Sequence, residues 1–302
     1  MTRRKVLLTG AAGTISSQLL PALRERYDLV CLDVTKDAGH GVIDDVVIAD
    51  LANPDIDAYR EHFAGVDAVI HNGFTWSPGR DSGAPLQWLP DDERRPGTPD
   101  GYYTERTNVD MVFHVLKLAL EENIRRVVVT SSNHAADWYE TKLHHGAMDM
   151  VGPDSYPASD NFYGWAKVAY EQLGFVFATG RFGCPVENIH IRIGAPRPIR
   201  WRDIDDNPVS FRRDLGAYIS SRDLCQLYIK SIETEDIRDD GGVPHQRFYG
   251  ISNNTRAFWS IANARRIIGY APEDDSEILF AEDRLAHIAD LGGRTMGECA
   301  TP

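Results

Sequence analysis

Up to Gly194, apolar residues fall in short continuous runs separated by longer amphipathic stretches. The runs at 5–9, 28–33, 46–50, 66–71, 126–131 and 188–193 predict strands, and 15–26, 55–63, 109–122 and 162–178 predict helices. In the first of these helices Leu19, Leu20 and Leu23 share one face. Strands that are apolar at successive rather than alternate positions suit a sheet covered on both sides. Their alternation with helices predicts parallel crossover connections.

Two segments break the rhythm. Residues 78–105 are rich in Gly, Pro, Asp and Arg, and 138–161 carry His144, His145, Pro153 and Pro157. Both follow strand C-terminal ends, where open α/β sheets bind ligands, so each reads as a ligand cover or as a surface or oligomer excursion. After Gly194 the alternation fails: 195–216 reads as loop, 221–232 as a helix capped by Ser221, 248–251 as a strand and 256–268 as a helix. The chain therefore divides into 1–194, a cofactor-binding domain carrying the chemistry, and 195–302, mostly a small substrate lobe interleaved with the main fold.

The first strand runs into Thr9-Gly10-Ala11-Ala12-Gly13-Thr14-Ile15-Ser16. A turn without Cβ obstruction lets backbone N–H groups approach a pyrophosphate at a helix N-terminus. Its place between a strand and a helix gives the motif its meaning. Gly10, Ala12, Gly13, Thr14 and Ile15 are the candidate contacts. Asp33 ends the second strand, 20 residues after Gly13. A carboxylate there accepts from the adenosine ribose hydroxyls and repels a 2′-phosphate, which points to NAD rather than NADP. Ser16 stands where a third glycine is usual, so a small shift in helix–strand packing is expected, with binding kept. The fold class is α/β: a Rossmann-type doubly wound parallel sheet with a small C-terminal substrate lobe.

Tyr163 and Lys167 lie four residues apart on one face of a predicted helix. A phenol with a reference pKa of ~10 is a poor base at neutral pH, but a neighbouring ammonium favours the phenolate. The pair is a candidate general base. Ser132, in Thr130-Ser131-Ser132-Asn133-His134 at the end of a strand, places a hydroxyl where it can hold a substrate oxygen.

These elements, in this order, resemble the extended short-chain dehydrogenase/reductase family, also described as NAD-dependent epimerase/dehydratases. The resemblance covers nearly the whole chain. It implies that Asp50 and Leu51 face the adenine, that Gly73 lines the cofactor site, that Asn108 supports the catalytic geometry, and that Lys167 also holds the nicotinamide ribose. A narrower likeness is carried by 131–134, Ile191-Arg192-Ile193-Gly194, 249–255 and 268–277. These segments are similar to the uronate dehydrogenases. That likeness implies NAD-dependent oxidation of C1 of a pyranose or uronic acid to a lactone. It also implies Arg213 as the grip on a sugar carboxylate and Asn133 as a substrate contact. His134 reads either as a substrate contact or as a satisfied loop histidine. Two departures stand out: Ala195 replaces a substrate-contacting Ser, and Asn72-Gly73-Phe74-Thr75-Trp76-Ser77 replaces a Gly-Gly-x-Ser-like pattern. The same catalytic trio also serves NAD-retaining epimerases or dehydratases of nucleotide-linked sugars, which produce no net NADH. A third reading is an NAD-binding homologue without turnover. Family likeness also implies a homodimer.

Composition narrows the partners. Acidic residues outnumber basic ones by 45 to 32, a net charge of −13, which argues against nucleic acid and against an anionic membrane surface. A local arginine pocket can still take an anionic substrate. No stretch approaches the roughly 20 apolar residues of a membrane span. The run after Met-Thr-Arg-Arg-Lys is broken by Thr9 and glycines and reads as a strand rather than a leader. Cys31, Cys184, Cys225 and Cys299 lie far apart without metal spacing, so reduced thiols, a cytoplasmic location and no metal are expected. His144-His145 has no acidic or Cys partner at ligand spacing. Arg80, Arg94, Arg95 and Arg106 read as offsets to Asp81, Asp91, Asp92 and Glu93 or as anion contacts. Trp76, Trp88, Tyr102 and Tyr103 either stack on a sugar or pack the insertion.

Overall fold

A computed structural model describes residues 3–39, 41–75, 99–203 and 207–291. The expectations for Trp76, Ser77, Arg80, Trp88, Arg94 and Arg95 lie outside the described residues.

The seven strands are β1 (Lys5–Thr9), β2 (Asp28–Asp33), β3 (Val46–Ile48), β4 (Ala68–His71), β5 (Arg126–Ser132), β6 (Glu187–Ile193) and β7 (His245–Gly250). They lie in the order β3-β2-β1-β4-β5-β6-β7, with every neighbouring pair parallel. The order reverses between β1 and β4, and that switch opens a crevice at the strands' C-terminal ends.

The central strands bury both faces, as their unbroken apolar runs predicted, while the edge strand β3 leaves Val47 and Ile48 exposed. Val6, Leu8, Ile70 and Val128 point to one side, where Leu19, Leu20 and Leu23 of α1 (Thr14–Arg26) and Leu224, Leu227 and Tyr228 of α6 (Ser221–Glu233) cover them. Leu7, Val69, Val127 and Val129 point to the other, against Met111, Val112 and Val115 of α2 (Gly101–Glu121) and Ala166 and Tyr170 of α4 (Phe162–Ala178). Each fully buried Val or Leu contributes about 1.5–3 kcal/mol, so the side-chain alternation of period two fixes the register of each strand.

Several boundaries differ from the pattern reading. The stretch 55–63 is two 3₁₀ turns, Ile56–Ala58 and Arg60–Phe63, rather than one helix. Tyr59 splits them. Its backbone leaves helical space (φ −135°), its ring is buried, and its hydroxyl donates to Asn53 O at 3.1 Å. Helix α2 starts at Gly101, well before 109. There Tyr102 stacks on Phe162 and Trp165 of α4, at centroid distances of 6.0 and 5.3 Å. The supposed loop 195–216 contains α5 (Pro208–Ala217), with Asn207 accepting from Val209 N and Ser210 N and Pro208 in the first turn. Ser220, not Ser221, caps α6 by accepting from Asp223 N, while the Ser221 hydroxyl donates to Gln18. α7 (Ala262–Ile268) is shorter than 256–268 because Thr255 is held by Asp275 and Arg256 by Glu277. It ends at Gly269, whose φ of +63° suits glycine.

The residues after Ile193 serve both layers. β7 extends the sheet and α6 covers it, while α5, α7, α8 (Ser276–Leu279) and α9 (Ala281–Leu291) complete the C-terminal part. The second insertion is tied into that part: Val151 N donates to Phe258 O at 2.8 Å, and Ser260 N to Val151 O at 2.9 Å. It also contains α3 (Glu140–His144), preceded by a 3₁₀ segment, Asn133–Tyr139. The Asp239-Asp240 pair lies in a turn, where Asp239 accepts from Gly241 N and Val243 N.

Candidate active site

A cleft of about 440 Å³ opens over the ends of β1, β2 and β4 and reaches Tyr163 and Lys167 on α4. Gly10, Ala12, Gly13, Thr14, Ile15, Asp33, Asp50, Leu51 and Gly73 all line it, together with that Tyr/Lys pair. Gly10 has φ +66°, and a Cβ there would fall 2.6 Å from the backbone of Asn72 and Gly73. Backbone cannot give way, so the position takes only glycine.

The N-terminus of α1 opens on this turn. Its N-cap, Gly13, supplies no side-chain acceptor, and its first turn holds no acid. By contrast, α4, α5 and α6 are capped by Asn161, Asn207 and Ser220. The orphan N–H groups and the positive end of the helix dipole suit a phosphate. Asp33 does more than its place at the strand end suggested. One carboxylate oxygen accepts from Ala12 N at 2.9 Å and the other from Thr35 N at 3.2 Å, so it also shapes the phosphate turn. Ser16 is fully buried and accepts from Asn72 Nδ2 at 2.9 Å, which gives the substituted hydroxyl a partner across the α1–β4 contact.

Asn108 does not line the cleft. It is buried behind the wall, where Oδ1 accepts from Thr75 N at 2.8 Å and Nδ2 donates to Glu105 at 3.2 Å. It therefore acts through the backbone that follows β4. Phe74, Asn72 and Ser131 also line the cleft, and none was singled out from sequence as a contact.

At the α4 end, Lys167 is buried with its ammonium over the rings of Phe74, Tyr163 and Tyr170, at 4.5, 4.8 and 4.9 Å from their centres. Three electron-rich ring faces help keep a buried charge favourable. The His134 ring meets the Tyr163 ring edge-on at 5.4 Å.

Ser132, Asn133, His134 and Arg213 lie beyond the lining of the cleft. The Ser132 hydroxyl starts the 3₁₀ segment by accepting from His134 N at 3.2 Å. His134 Nδ1 lies 3.0 Å from Asp137 Oδ2. A carboxylate only accepts, so Nδ1 carries the proton. Asn161 Nδ2 donates to the same oxygen at 3.1 Å. Asn133 Nδ2 and Asp137 Oδ1 are buried without a hydrogen-bond partner among the described residues. Such groups cost roughly 1–3 kcal/mol each unless a ligand or water completes them.

Arg213 is gripped by Glu140. Nε donates to Oε2 at 2.8 Å and Nη2 to Oε1 at 3.1 Å, while Nη1 reaches Asp214 at 3.4 Å. Glu140 is fully buried and the Arg213 side chain is 14% exposed. Burial pushes the Glu140 carboxyl up, against the pull of Arg213. Burial also opposes the charge on Arg213, but Glu140 and Asp214 outweigh it and hold the guanidinium protonated. The two-point fork with an arginine keeps Glu140 a carboxylate. Asp137 and Glu140 were both missed from sequence, since neither stands in a motif.

No family model matches the chain. Uronate dehydrogenase of Pseudomonas putida is 30% identical over 275 residues, covering 90% of this chain and 85% of that protein. The chain belongs to the uronate dehydrogenase branch of the extended short-chain dehydrogenase/reductase family. NAD-dependent glucose-6-phosphate dehydrogenase of Haloferax volcanii is 28% identical over 284 residues, covering 90% of this chain and 94% of that one. In fold, the crystal structure of uronate dehydrogenase from Agrobacterium tumefaciens superposes with a TM-score of 0.67 at 22% identity, over 94% of this chain and 90% of that one.

In this structure the segments around 191–195, 249–255 and 268–277 serve as framework. Arg192 is fully buried and forks onto Glu171 at 2.8 and 2.7 Å, with Ser131 donating to the same carboxylate at 2.8 Å and Tyr249 accepting from Arg192 at 3.1 Å. A Cβ on Gly194 would lie 2.0 Å from Ala217 O. Ala195 is buried and bridges to Tyr218 through its backbone, so its methyl stands in a packed crossing. Asn254 donates to Gly216 O and Tyr218 O, and Tyr270 to Ile251 O. These ties hold α5, and with it Arg213, against the end of the sheet. Among the described residues no helix is long and apolar enough to cross a membrane, and no group of His, Cys, Asp or Glu is arranged to hold a metal.

Proposed function

We propose that the protein is an NAD-dependent sugar 1-dehydrogenase, oxidising the anomeric carbon of a pyranose or uronic acid to a lactone. The observation that carries this reading is the continuity of one cleft, from the uncapped N-terminus of α1 and Asp33 to the Tyr163/Lys167 pair. The relatives named as NAD-dependent or uronate dehydrogenases support it.

The residues present fit NAD. The Gly10–Gly13 turn and the first N–H groups of α1 would hold the pyrophosphate. Asp33 would take the adenosine ribose, Asp50 and Leu51 would flank the adenine, Gly73 would admit close approach, and Lys167 would reach the nicotinamide ribose. When bound, NAD⁺ supplies the acceptor for the hydride that leaves C1. The rest falls to the side chains. Tyr163 takes the proton of the anomeric hydroxyl. The Lys167 ammonium, 4.8 Å from the ring centre, favours the anion Tyr163 becomes on giving up its own proton. Ser132 holds the substrate oxygen, and Asn133 and His134 hold ring hydroxyls. C1 loses a proton from its oxygen and a hydride from its carbon, and the lactone carbonyl forms. Residues 1–194 then carry the cofactor and the base, and α5 with its neighbours in 195–302 supplies the far wall.

Tyr163→Phe should leave NAD⁺ binding intact and cut NADH formation by about 10²–10⁴-fold. A fully active Tyr163→Phe protein would remove Tyr163 from this role. Accumulating NADH absorbance separates a dehydrogenase from an epimerase, which regenerates its cofactor. A homodimer is part of the reading: α2 and α4 pack side by side and leave Tyr103, Phe113, Phe175 and Val176 exposed on their outer side. Light scattering at the eluted peak checks it. A cytoplasmic location is the further expectation, supported by the unpaired thiols of Cys31, Cys184 and Cys225.

A further inference from the structure

Resting on the sugar-dehydrogenase reading above, we propose that Glu140 sets the substrate class: it neutralises Arg213, so the enzyme takes a neutral aldopyranose in preference to the matching uronate.

Arg213 is the cation that α5 brings to the far wall, and it reaches the catalytic end through a short chain of contacts. Tyr163 touches His134, His134 is hydrogen-bonded to Asp137, and the Glu140 carboxylate lies within electrostatic range of both His134 and Asp137. Glu140 takes one edge of the guanidinium, through Nε and Nη2, and Asp214 lies at the third nitrogen. A guanidinium binds a carboxylate best through two parallel N–H donors. Here those donors already face a carboxylate that is itself fully buried and cannot swing into water.

The charge count points the same way. Around the Arg213 guanidinium stand Glu140 and Asp214, and Asp214 is shared with Arg197 at 2.7 Å. Arg212, next along α5, is exposed. His144, packed edge-on against Phe258, is held well below its ordinary range by burial and by Arg212 and Arg213, to about 4, so it adds no positive charge at neutral pH. A second carboxylate brought to this wall would meet a guanidinium whose charge Glu140 already offsets, in a poorly hydrated place. Like-charge contact of that kind is how binding sites reject a wrong partner.

The unsatisfied groups of the same wall match hydroxyls. Asp137 Oδ1 is an acceptor without a donor, and Asn133 Nδ2 and the Trp259 indole N–H are donors without acceptors among the described residues. Arg213 lies 5.8 Å from the centre of the Trp259 ring. A sugar hydroxyl both donates and accepts, so it suits either kind of group. A carboxylate only accepts and leaves Asp137 opposed by another acceptor.

The test pairs sugars that differ only at C6: D-galactose with D-galacturonate, and D-glucose with D-glucuronate, each with NAD⁺. At least one neutral sugar should exceed its uronate by tenfold or more in kcat/KM. Glu140→Gln keeps the side-chain volume and frees the charge on Arg213, and should move that ratio toward the uronate by at least tenfold. A wild-type protein that prefers either uronate by tenfold overturns the proposal, and so does a ratio that Glu140→Gln leaves unchanged. A parallel titration by calorimetry, with NADH present, reads binding of the same four sugars without turnover. NADH formed on none of them, with galactose or glucose still binding more tightly than its uronate, would sink the dehydrogenase reading and leave the charge assignment standing. Binding stronger for the uronates would sink the charge assignment alone. The wild-type comparison needs no variant to fold, and circular dichroism reports whether Glu140→Gln does.

Discussion

The two ends of the cleft are built by different means. The cofactor end is made of backbone: a glycine turn, the bare N-terminus of α1, and the ends of β1, β2 and β4, with Asp33 as its principal side chain. The region proposed for the substrate lies just beyond the lining at the other end and is made of side chains from separate parts of the chain: Asn133, His134, Asp137 and Glu140 after β5, Arg213 on α5, and Trp259 before α7. A dinucleotide presents the same phosphates to every enzyme that binds it, so a local turn suffices. A sugar is told from another sugar by charge and hydroxyl placement, and that takes groups converging from distant segments.

This contrast can be broken most sharply at Gly10. Gly10→Ala places a methyl into the Asn72–Gly73 backbone at a positive φ, so NAD⁺ affinity should fall by at least about 100-fold, or roughly 3 kcal/mol. Fluorescence titration with NADH checks it. Unchanged affinity would mean that the turn is not what holds the phosphates. At the other end, Asp137→Asn should lower kcat/KM for the sugar by about tenfold, because the Nδ1 proton of His134 loses its charged acceptor. NAD⁺ affinity should not move. A loss of both together would join the two ends into one unit.

Acid should act on the framework more than on either end. His71, His190 and His245 are held neutral, each pushed down to about 3 chiefly by burial. Their folded values lie below the unfolded value of about 6.5. They therefore cost nothing well above pH 6.5, and stability falls as pH drops from there toward 3, because the unfolded chain binds protons the fold refuses. Each contributes a slope of about 1.4 kcal/mol per pH unit within that window. Urea midpoints between pH 7.5 and 4.5 on a roughly one-unit grid would show the decline. A flat profile would mean that these histidines protonate in the folded state.

How legible each end was follows from the same physics. β1, β2 and α4 were read with their ends in place, and the turn, Asp33, Tyr163 and Lys167 were placed from spacing alone. Their signals are local: a glycine forced by a close turn, a strand buried on both faces, two residues one helical turn apart. The misreadings have tertiary causes. Tyr59 anchors into the core and breaks a helical pattern, Tyr102 extends α2 by packing on α4, and Asp275 and Glu277 hold the residues before α7 out of helix. Asn207-Pro208 was a readable helix start that went unread.

A parallel sheet, a glycine turn before α1 and a Tyr/Lys pair on one helical face could be read from the chain alone, because each of those rests on neighbours in the chain. It also pointed to Arg213 through resemblance. What Arg213 meets was decided only by the fold. Glu140 lies 73 positions away in sequence and 2.8 Å away in space. The charge at that place is a sum over both residues, and no stretch of sequence contains that sum.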